Sequence, residues 1–470
     1  MSSRRASAVR VRAVEILRQA LRRGAEVPPL LATREADLSP ADRDLLREIV
    51  YGVLRQRGPL DAELTSVSRA PLARLEKDLR EILEVALYQI RRLDRIPAYA
   101  AVDEAVRQAR ASGGDRAAKL VNAVLRRLAE RPALPTPAPA GSTAELARAS
   151  SHPEFLVKRW VERFGRAEAC RILKSDNAPS AIDLLVNPHR TDREALRAAL
   201  VEEGVETETS ALSPLGLTVT AGNPLRSPLL AAGHFTVQDV GAQALSLLIP
   251  PGDLLVDLAA APGGKTFAAL ALGRARRALA LDRSTGRLRR FVDNARRLGM
   301  TEARAVAADF LEPPLKAGQF DRVIFDAPCS GTGTLRKNPE IRYRVTPAAI
   351  DELARTQTRA LARAADLLAP GGYLLYATCS LEAEENERVV EEVLAERPGL
   401  ALAGIEPPEA LRPFVSGARF RLLPDESTDG FTAHLLRRET GDGKREMRPI
   451  SRRRKPDGIR RSGRGSRSSS

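Results

Sequence analysis

Two of the three cysteines in this 470-residue chain stand in short turns rich in glycine, serine and threonine. Cys329 lies in Asp326-Ala327-Pro328-Cys329-Ser330-Gly331-Thr332-Gly333, and Cys379 in Tyr376-Ala377-Thr378-Cys379-Ser380. Each turn follows a β-like run, 322–326 and 373–378. In a sheet of parallel strands both turns fall at the carboxyl edge, where such sheets bind ligands. The remaining Cys170 sits among Ala167, Ala169 and Leu173 at helical spacing and reads as a small core residue. Three cysteines and four histidines, none at ligand spacing, suggest no metal site. They build no disulfide framework either, and the expected compartment is a reducing cytoplasm.

A third turn completes the set. The run 254–258 leads into Asp257-Leu258-Ala259-Ala260-Ala261-Pro262-Gly263-Gly264-Lys265-Thr266 and then a helix. Small residues and two glycines at a strand-to-helix turn let a ligand approach the backbone closely. A phosphate-binding loop also ends in Gly-Lys-Thr, but it requires glycine where this chain has Ala259. The other reading is S-adenosylmethionine, whose ribose hydroxyls want an acid at the end of the next strand, about 20 residues on. Asp282 closes the run ALALD, 18 residues after Gly264. Asp309, ending the run 303–309, would face the adenine side, and Asp326 ends the fourth strand. Any one of these acids would serve equally as a helix N-cap; four successive strands ending in Asp fit the cofactor better.

Beside a methyl donor, thiols have a specific use. Carbon 5 of cytosine is a poor nucleophile, and a thiolate added at carbon 6 makes it enamine-like, able to attack a methyl group. A base then removes the carbon 5 proton and the thiol leaves, so one hard step becomes several easier ones. A free thiol, with a pKa near 8.5, holds only a few per cent of thiolate at neutral pH and needs local help. Asp326 would contact the polar edge of the pyrimidine and favour the addition. An amine-methylating enzyme usually shows Asn/Asp-Pro-Pro-aromatic at this place, and Asp-Ala-Pro-Cys departs from it.

The elements that must hold these turns read as a multidomain chain. Apolar residues recur at helical spacing over 8–21, from Ser39-Pro40 to near Val53, and over 79–90, 102–109 and 117–128. This is an all-α helical bundle spanning 1–130. A linker follows at 131–145, with four prolines in the twelve residues 131–142. A small α+β subdomain spans 146–235, with helices at 164–173 and 192–203 and a strand at 182–186. Over 236–438, β-like runs at 254–258, 278–282, 303–309, 322–326 and 373–378 alternate with helical stretches, notably 286–298 and 347–368. That alternation implies an α/β doubly wound, Rossmann-like domain with a parallel sheet and helices on both faces. The tail 439–470 is Arg, Ser and Gly with almost nothing to bury, and is expected to be disordered.

Charge is unevenly spread. Residues 1–130 hold 25 basic and 18 acidic groups, residues 131–440 hold 39 of each, and residues 441–470 hold 11 and 3. A positive field on both sides of a neutral centre suits a polyanionic partner bound by accessory parts. Of the 75 basic residues 66 are Arg. Its planar fork suits phosphate, although a genome-wide arginine bias accounts for that preference equally well. No apolar run approaches the roughly 18 residues a membrane span needs, and the N-terminus lacks the apolar core of a secretory signal.

Read together, DLAAAPGGKT, ALDRS, DAPCSGTGTLRKNPEIRYR, YATCSLEAEENERVV and RLLPDESTDGFTAHL resemble, in order, the signature segments of the RNA (cytosine-5)-methyltransferases. VQDVGAQ resembles the segment preceding their cofactor site, and the basic helical domain resembles the NusB-like antitermination fold. With HPEFLVKRW (152–160), the resemblance is to the bacterial 16S ribosomal RNA enzymes of the Fmu/Sun type, over about 5–438. It implies a NusB-like RNA-binding domain, an S-adenosylmethionine-dependent methyltransferase domain, and a monomer acting on 16S rRNA or a small-subunit assembly intermediate. It makes Cys379 the nucleophile and Cys329 the cysteine that assists release of methylated RNA. It makes Ala259, Ala260, Ala261, Pro262, Gly263, Gly264, Lys265, Asp282, Asp309 and Asp326 the cofactor-binding positions. DNA cytosine methyltransferases attack with the Pro-Cys cysteine, so two cysteines favour RNA. Ala259 departs from the cysteine found in many relatives, and small size is what the turn requires. A non-catalytic RNA-binding assembly factor and a nucleotide hydrolase are the rival readings.

Overall fold

A computed structural model of the protein describes residues 7–68, 71–72, 75, 78–134 and 141–440. The basic tail 441–470 and the linker residues 135–140 lie outside the described residues. The chain opens with five helices, α1 (Ala8–Arg23), α2 (Val27–Arg34), α3 (Pro40–Val67), α4 (Leu79–Arg92) and α5 (Ala98–Ala129). Ser39 caps α3 by accepting the Asp42 N–H. This helix runs well past Val53, where the sequence reading ended it. Gly58-Pro59 does not stop it, because Leu60, Leu64 and Val67 continue the apolar face and are buried. The short α2, with two prolines in its first turn, is too brief for apolar periodicity to mark it in the sequence. The two stretches 102–109 and 117–128 both fall in α5, which breaks its helical dihedrals at Gly113-Gly114; Gly114 has φ 70°, a left-handed conformation glycine adopts freely. Ile16, Leu17, Leu46, Ile49, Val53, Leu87, Val121 and Leu125 form the core of the bundle.

A Ser142–Glu145 capping box opens α6 (Thr143–Ser150), inside the stretch read as linker. Next come α7 (Glu154–Phe164) and α8 (Arg166–Asp176), separated at Gly165, φ 82°, where the sequence suggested one helix over 164–173. Their apolar residues Leu156, Val157, Trp160 and Ile172 pack with Leu335, Ile341, Ile350 and Leu381 of the following domain. A small sheet follows from β1 (Asp183–Val186), α9 (Arg193–Glu202), β2 (Glu206–Thr209), β3 (Gly216–Ala221), α10 (Pro228–Ala231) and β4 (Phe235–Val237). Its order is β2-β3-β1-β4, all antiparallel, with Leu196 and Leu200 of α9 packed on Leu184, Val186 and Leu217.

The largest unit runs α11 (Val240–Leu247), β5 (Leu254–Asp257), α12 (Gly264–Ala271), β6 (Arg277–Asp282), α13 (Thr285–Leu298), β7 (Ala303–Ala307), β8 (Phe320–Asp326), α14 (Pro347–Leu367), β9 (Leu368–Thr378) and α15 (Glu387–Glu396). It closes with β10 (Leu400–Leu402), β11 (Val415–Ser416), β12 (Arg419–Leu422) and β13 (Phe431–Arg438). The sheet order is β11-β12-β13-β9-β8-β5-β6-β7, with β10 also paired to β13. Five strands, β9 through β7, are parallel, as the βα alternation implies. The sheet is not parallel throughout: β13 runs antiparallel beside β9 and carries β12 and β10 with it. Alternation along the strands sends Leu255, Ile324 and Leu375 to the α11–α13 face, and Val256, Val323 and Leu374 to the α14–α15 face. Helices therefore cover both faces. One strand is shorter than read: β7 ends at Ala307, leaving Asp309 two residues beyond it.

Candidate active site

Strands β8 and β9 are parallel neighbours with Asp326 opposite Ala377, so the turns that leave them start side by side. The Cys329 and Cys379 sulfurs are 3.4 Å apart, and both residues are half-buried. Backbone contacts bring the two turns together, Ala327 N–H donating to Ala377 O at 2.8 Å and Gly333 N–H to Cys379 O at 2.9 Å. Gly333 permits the second contact: a Cβ there would lie 2.5 Å from Gly430 O and 2.9 Å from Cys379 O. The hydrogen bond with Cys379 and burial push the Cys329 thiol well above its usual range, helped by the negative charges of Glu385 and Asp326.

The glycine turn reaches the same place. Lys265, in the first turn of α12, places its ammonium against the Asp326 carboxylate and lies 5.7 Å from the Phe431 ring centroid. Burial opposes the Lys265 charge, but Asp326, with Cys379 and Asp257 behind it, more than offsets this and raises its pKa. Asp257 is buried, accepts the Thr266 hydroxyl at 2.6 Å, and is pushed by burial up to about 6. Gly263 has φ 113°, and a Cβ on it would strike the Phe267 ring at 2.1 Å, so glycine is required on two counts.

None of the four acids at or near strand ends caps a helix. The caps of α12, α13 and α14 are Gly263, Ser284 and Thr346. Asp282 is 5 % exposed at the carboxyl edge of β6, accepts the Ser284 N–H at 2.8 Å and faces Arg287 at 3.4 Å. Asp309 accepts the Leu311 N–H at 2.9 Å in the loop after β7. The structure thus brings Cys329, Cys379, Asp326 and Lys265 together, with the turn 259–264 beside them on β5 and with Asp282 and Asp309 one and two strands farther along the same edge. The turn itself is built of small residues, with Arg287 and Asn294 donating to its Ala261 and Pro262 carbonyls, and the Asp282 carboxylate could accept from a ribose hydroxyl pair. These donors fit S-adenosylmethionine.

Other residues at the site carried no chemical signal in the sequence. Glu385 is fully buried between the two cysteine turns, and the half-buried Lys337 pairs with Asp239 and with the buried Asp429. Asp239 also caps α11 and accepts the Thr428 hydroxyl at 2.9 Å, joining VQDVGAQ to the DGF turn. As isolated letters, Glu385 belongs to an acidic run that resembles a solvated surface; its place beside Thr-Cys-Ser was the available clue.

Comparison with known proteins agrees with this geometry. A family profile described as 16S rRNA methyltransferase RsmB/F matches residues 244–437. Residues 4–130 match the NusB family, and residues 152–226 match an RsmF/B-like ferredoxin-like domain. A ribosomal RNA small subunit methyltransferase B of Vibrio cholerae is 34% identical over 437 residues, covering 92% of this chain and 98% of its own. The chain belongs to the RsmB/F family of 16S rRNA methyltransferases. A probable ribosomal RNA small subunit methyltransferase B of Synechocystis is 35% identical over 370 residues, covering 77% of this chain and 83% of its own. Among solved structures, the crystal structure of PH0851 aligns with TM-score 0.73 at 26% identity, covering 90% of this chain and 98% of that one. A methyltransferase homolog from Pyrococcus horikoshii aligns with TM-score 0.54 at 26% identity, covering 64% and 99%. As an RsmB/F methyltransferase the protein is S-adenosylmethionine-dependent and acts on ribosomal RNA, and the nucleotide-hydrolase reading falls away.

Proposed function

We propose that this enzyme methylates carbon 5 of a cytosine in 16S rRNA through a covalent bond between Cys379 and carbon 6 of the ring. The observation that carries the reading is the pair of sulfurs 3.4 Å apart beside the cofactor turn. A thiol held well above its usual pKa stays protonated, which suits Cys329 to act on an adduct rather than to form it. Cys379 supplies the sulfur that adds to carbon 6, and the Lys265 ammonium lies within its electrostatic reach. Asp326, steadied by Lys265, takes the polar edge of the pyrimidine. Residues 259–265, Asp282 and Asp309 hold S-adenosylmethionine, which supplies an electrophilic methyl group on its sulfonium sulfur. After methylation a water acting as base takes the carbon 5 proton, its electron pair re-forms the carbon 5–carbon 6 double bond, the carbon 6–sulfur bond breaks with Cys379 leaving as the thiolate, and Cys329 assists release.

The partner is 16S rRNA, free or in a small-subunit assembly intermediate, bound by one copy of the chain. The excess positive charge of residues 1–130 and 441–470 supplies phosphate contacts and a steep salt dependence. An unpaired cytosine is the cheaper target, since a stacked one must first be turned out.

The test is methyl transfer from labelled S-adenosylmethionine to 16S rRNA and to small-subunit particles, with the modified base mapped. Cys379→Ala is expected to abolish turnover, and Cys329→Ala to accumulate a denaturant-resistant protein–RNA adduct. Full activity in Cys379→Ala overturns the assignment. Absence of transfer by the intact enzyme on both substrates overturns the activity and leaves an assembly factor.

A further inference from the structure

Glu385, in the short turn before α15, touches both cysteine-bearing turns at once. From the Cys329 side, Ser330 N–H donates to Glu385 Oε1 at 2.8 Å and the Ser330 hydroxyl donates to Oε2. From the Cys379 side, the Ser380 hydroxyl donates to the same Oε2. Gln357 Nε2 donates to Oε1 at 3.1 Å and to Pro328 O at 2.8 Å, gripping the first turn a second time. The clamp is anchored in turn, because the buried Tyr376 hydroxyl donates to Glu385 O at 2.6 Å and Thr378 donates to Asn386. The two turns differ in what else holds them. Cys379 continues from a strand with hydrogen-bonded neighbours on both sides. Residues 328–330 leave β8, and besides the Ser330–Ser380 hydroxyl contact at 3.2 Å and the sulfur pair itself, the side chains that hold them are Glu385 and Gln357.

We propose that Glu385 is a positioning residue that sets the gap between the Cys329 and Cys379 sulfurs by holding the 328–330 turn against the turn after β9. The function assigned to that gap rests on the reading above; the gap itself does not. Loss of the carboxylate lets Cys329 drift while Cys379 stays in place, so adduct formation survives and release fails. A displacement of about 1 Å at reacting atoms costs on the order of a hundredfold in rate. Burial pushes the Glu385 carboxyl above the usual carboxylate range, against the hydrogen bonds from Ser330 and Ser380. An amide of the same shape therefore replaces it well: its oxygen keeps the Ser330 and Gln357 N–H groups, and its NH2 donates to the two hydroxyls.

The experiment compares Glu385→Ala, Glu385→Gln and Cys329→Ala by two readouts. The first is the steady-state fraction of denaturant-resistant adduct with 16S rRNA. The second, independent of RNA, is the rate at which diamide oxidises Cys329 and Cys379 to a mutual disulfide, mapped by peptide mass; the diazene takes up the two hydrogens. Glu385→Ala is expected to accumulate adduct as Cys329→Ala does and to form the disulfide at least about tenfold more slowly, while Glu385→Gln stays near wild type in both. A folded Glu385→Ala with wild-type adduct level and disulfide rate overturns the proposal. Slow disulfide formation without adduct, in a background where Cys329→Ala also gives none, sustains the gap and overturns the catalytic roles instead. Should Glu385→Ala fail to fold, Ser330→Ala is expected to move both readouts the same way by a smaller amount, and no change there overturns the proposal.

Discussion

The indole N–H of Trp160 donates to the buried Glu382 carboxylate at 3.1 Å, so a helix outside the methyltransferase sheet holds the turn that carries Cys379. Arg159 Nη1 holds the other carboxylate oxygen at 3.0 Å, and Arg163 donates to Leu381 O at 2.7 Å. Trp160→Phe keeps an aromatic ring but leaves Glu382 short of one donor. A fall of about 2 kcal/mol in unfolding free energy is expected, part from the unsatisfied carboxylate and part from lost volume. Urea unfolding with an unchanged midpoint would contradict it.

Removing the Lys265 ammonium leaves the Asp326 carboxylate without its ion-pair partner and takes away a positive charge that interacts with Cys379. Lys265→Met is expected to lower turnover at neutral pH by about a hundredfold. Turnover of Lys265→Met at the wild-type rate would overturn the role given to the ammonium.

Gly333 has no room for a methyl group between Gly430 O and Cys379 O. Gly333→Ala is expected to push these backbones apart and cut turnover by at least about tenfold. The cofactor turn lies on another strand, so the S-adenosylmethionine dissociation constant, measured by calorimetry, should change little. Equal loss of both would point to general damage.

Asp257 offers a pH test. Its folded pKa, about 6, lies above the ordinary value of 3.8, so between those pH values the unfolded chain releases a proton that the folded chain keeps. Wild type therefore loses stability from this group as pH rises through that window, and the loss levels off above about 6. Asp257→Asn has no such dependence and can still pair with Thr266. The stability of Asp257→Asn minus that of wild type is expected to grow by on the order of 2 kcal/mol between pH 4 and pH 7. A difference that stays flat in urea titrations would refute it.

The parts of this protein with local cause were legible in sequence. Strands that enter glycine or cysteine turns, and helices with a strict apolar period such as α13, were readable because their pattern fits in one window. The antiparallel strands are not: in β13, an interior strand, the run Phe-Thr-Ala-His-Leu-Leu is buried on both faces, so no alternation marks it as strand. The cysteines, Asp326 and Asp282 stand out in the sequence because their residue type announces chemistry. Glu385, Lys337 and Asp429 escaped because a buried acid or lysine looks like any surface charge until its partners, far away in the chain, are known. Lys265 was read as part of a cofactor turn; only the packing shows its ammonium reaching Asp326 on the next strand.

The segment after Cys329 carries a further consequence. Tyr343 donates its hydroxyl to Leu54 O at 2.6 Å, Arg55 donates to Arg336 O at 2.8 Å, and Val27 N–H donates to the buried Glu340 carboxylate at 3.2 Å. The basic bundle is thus keyed into the catalytic half rather than tethered to it. Cutting it away would strip the seat from under residues 336–343, and the shortened enzyme would falter even on a substrate handed to it.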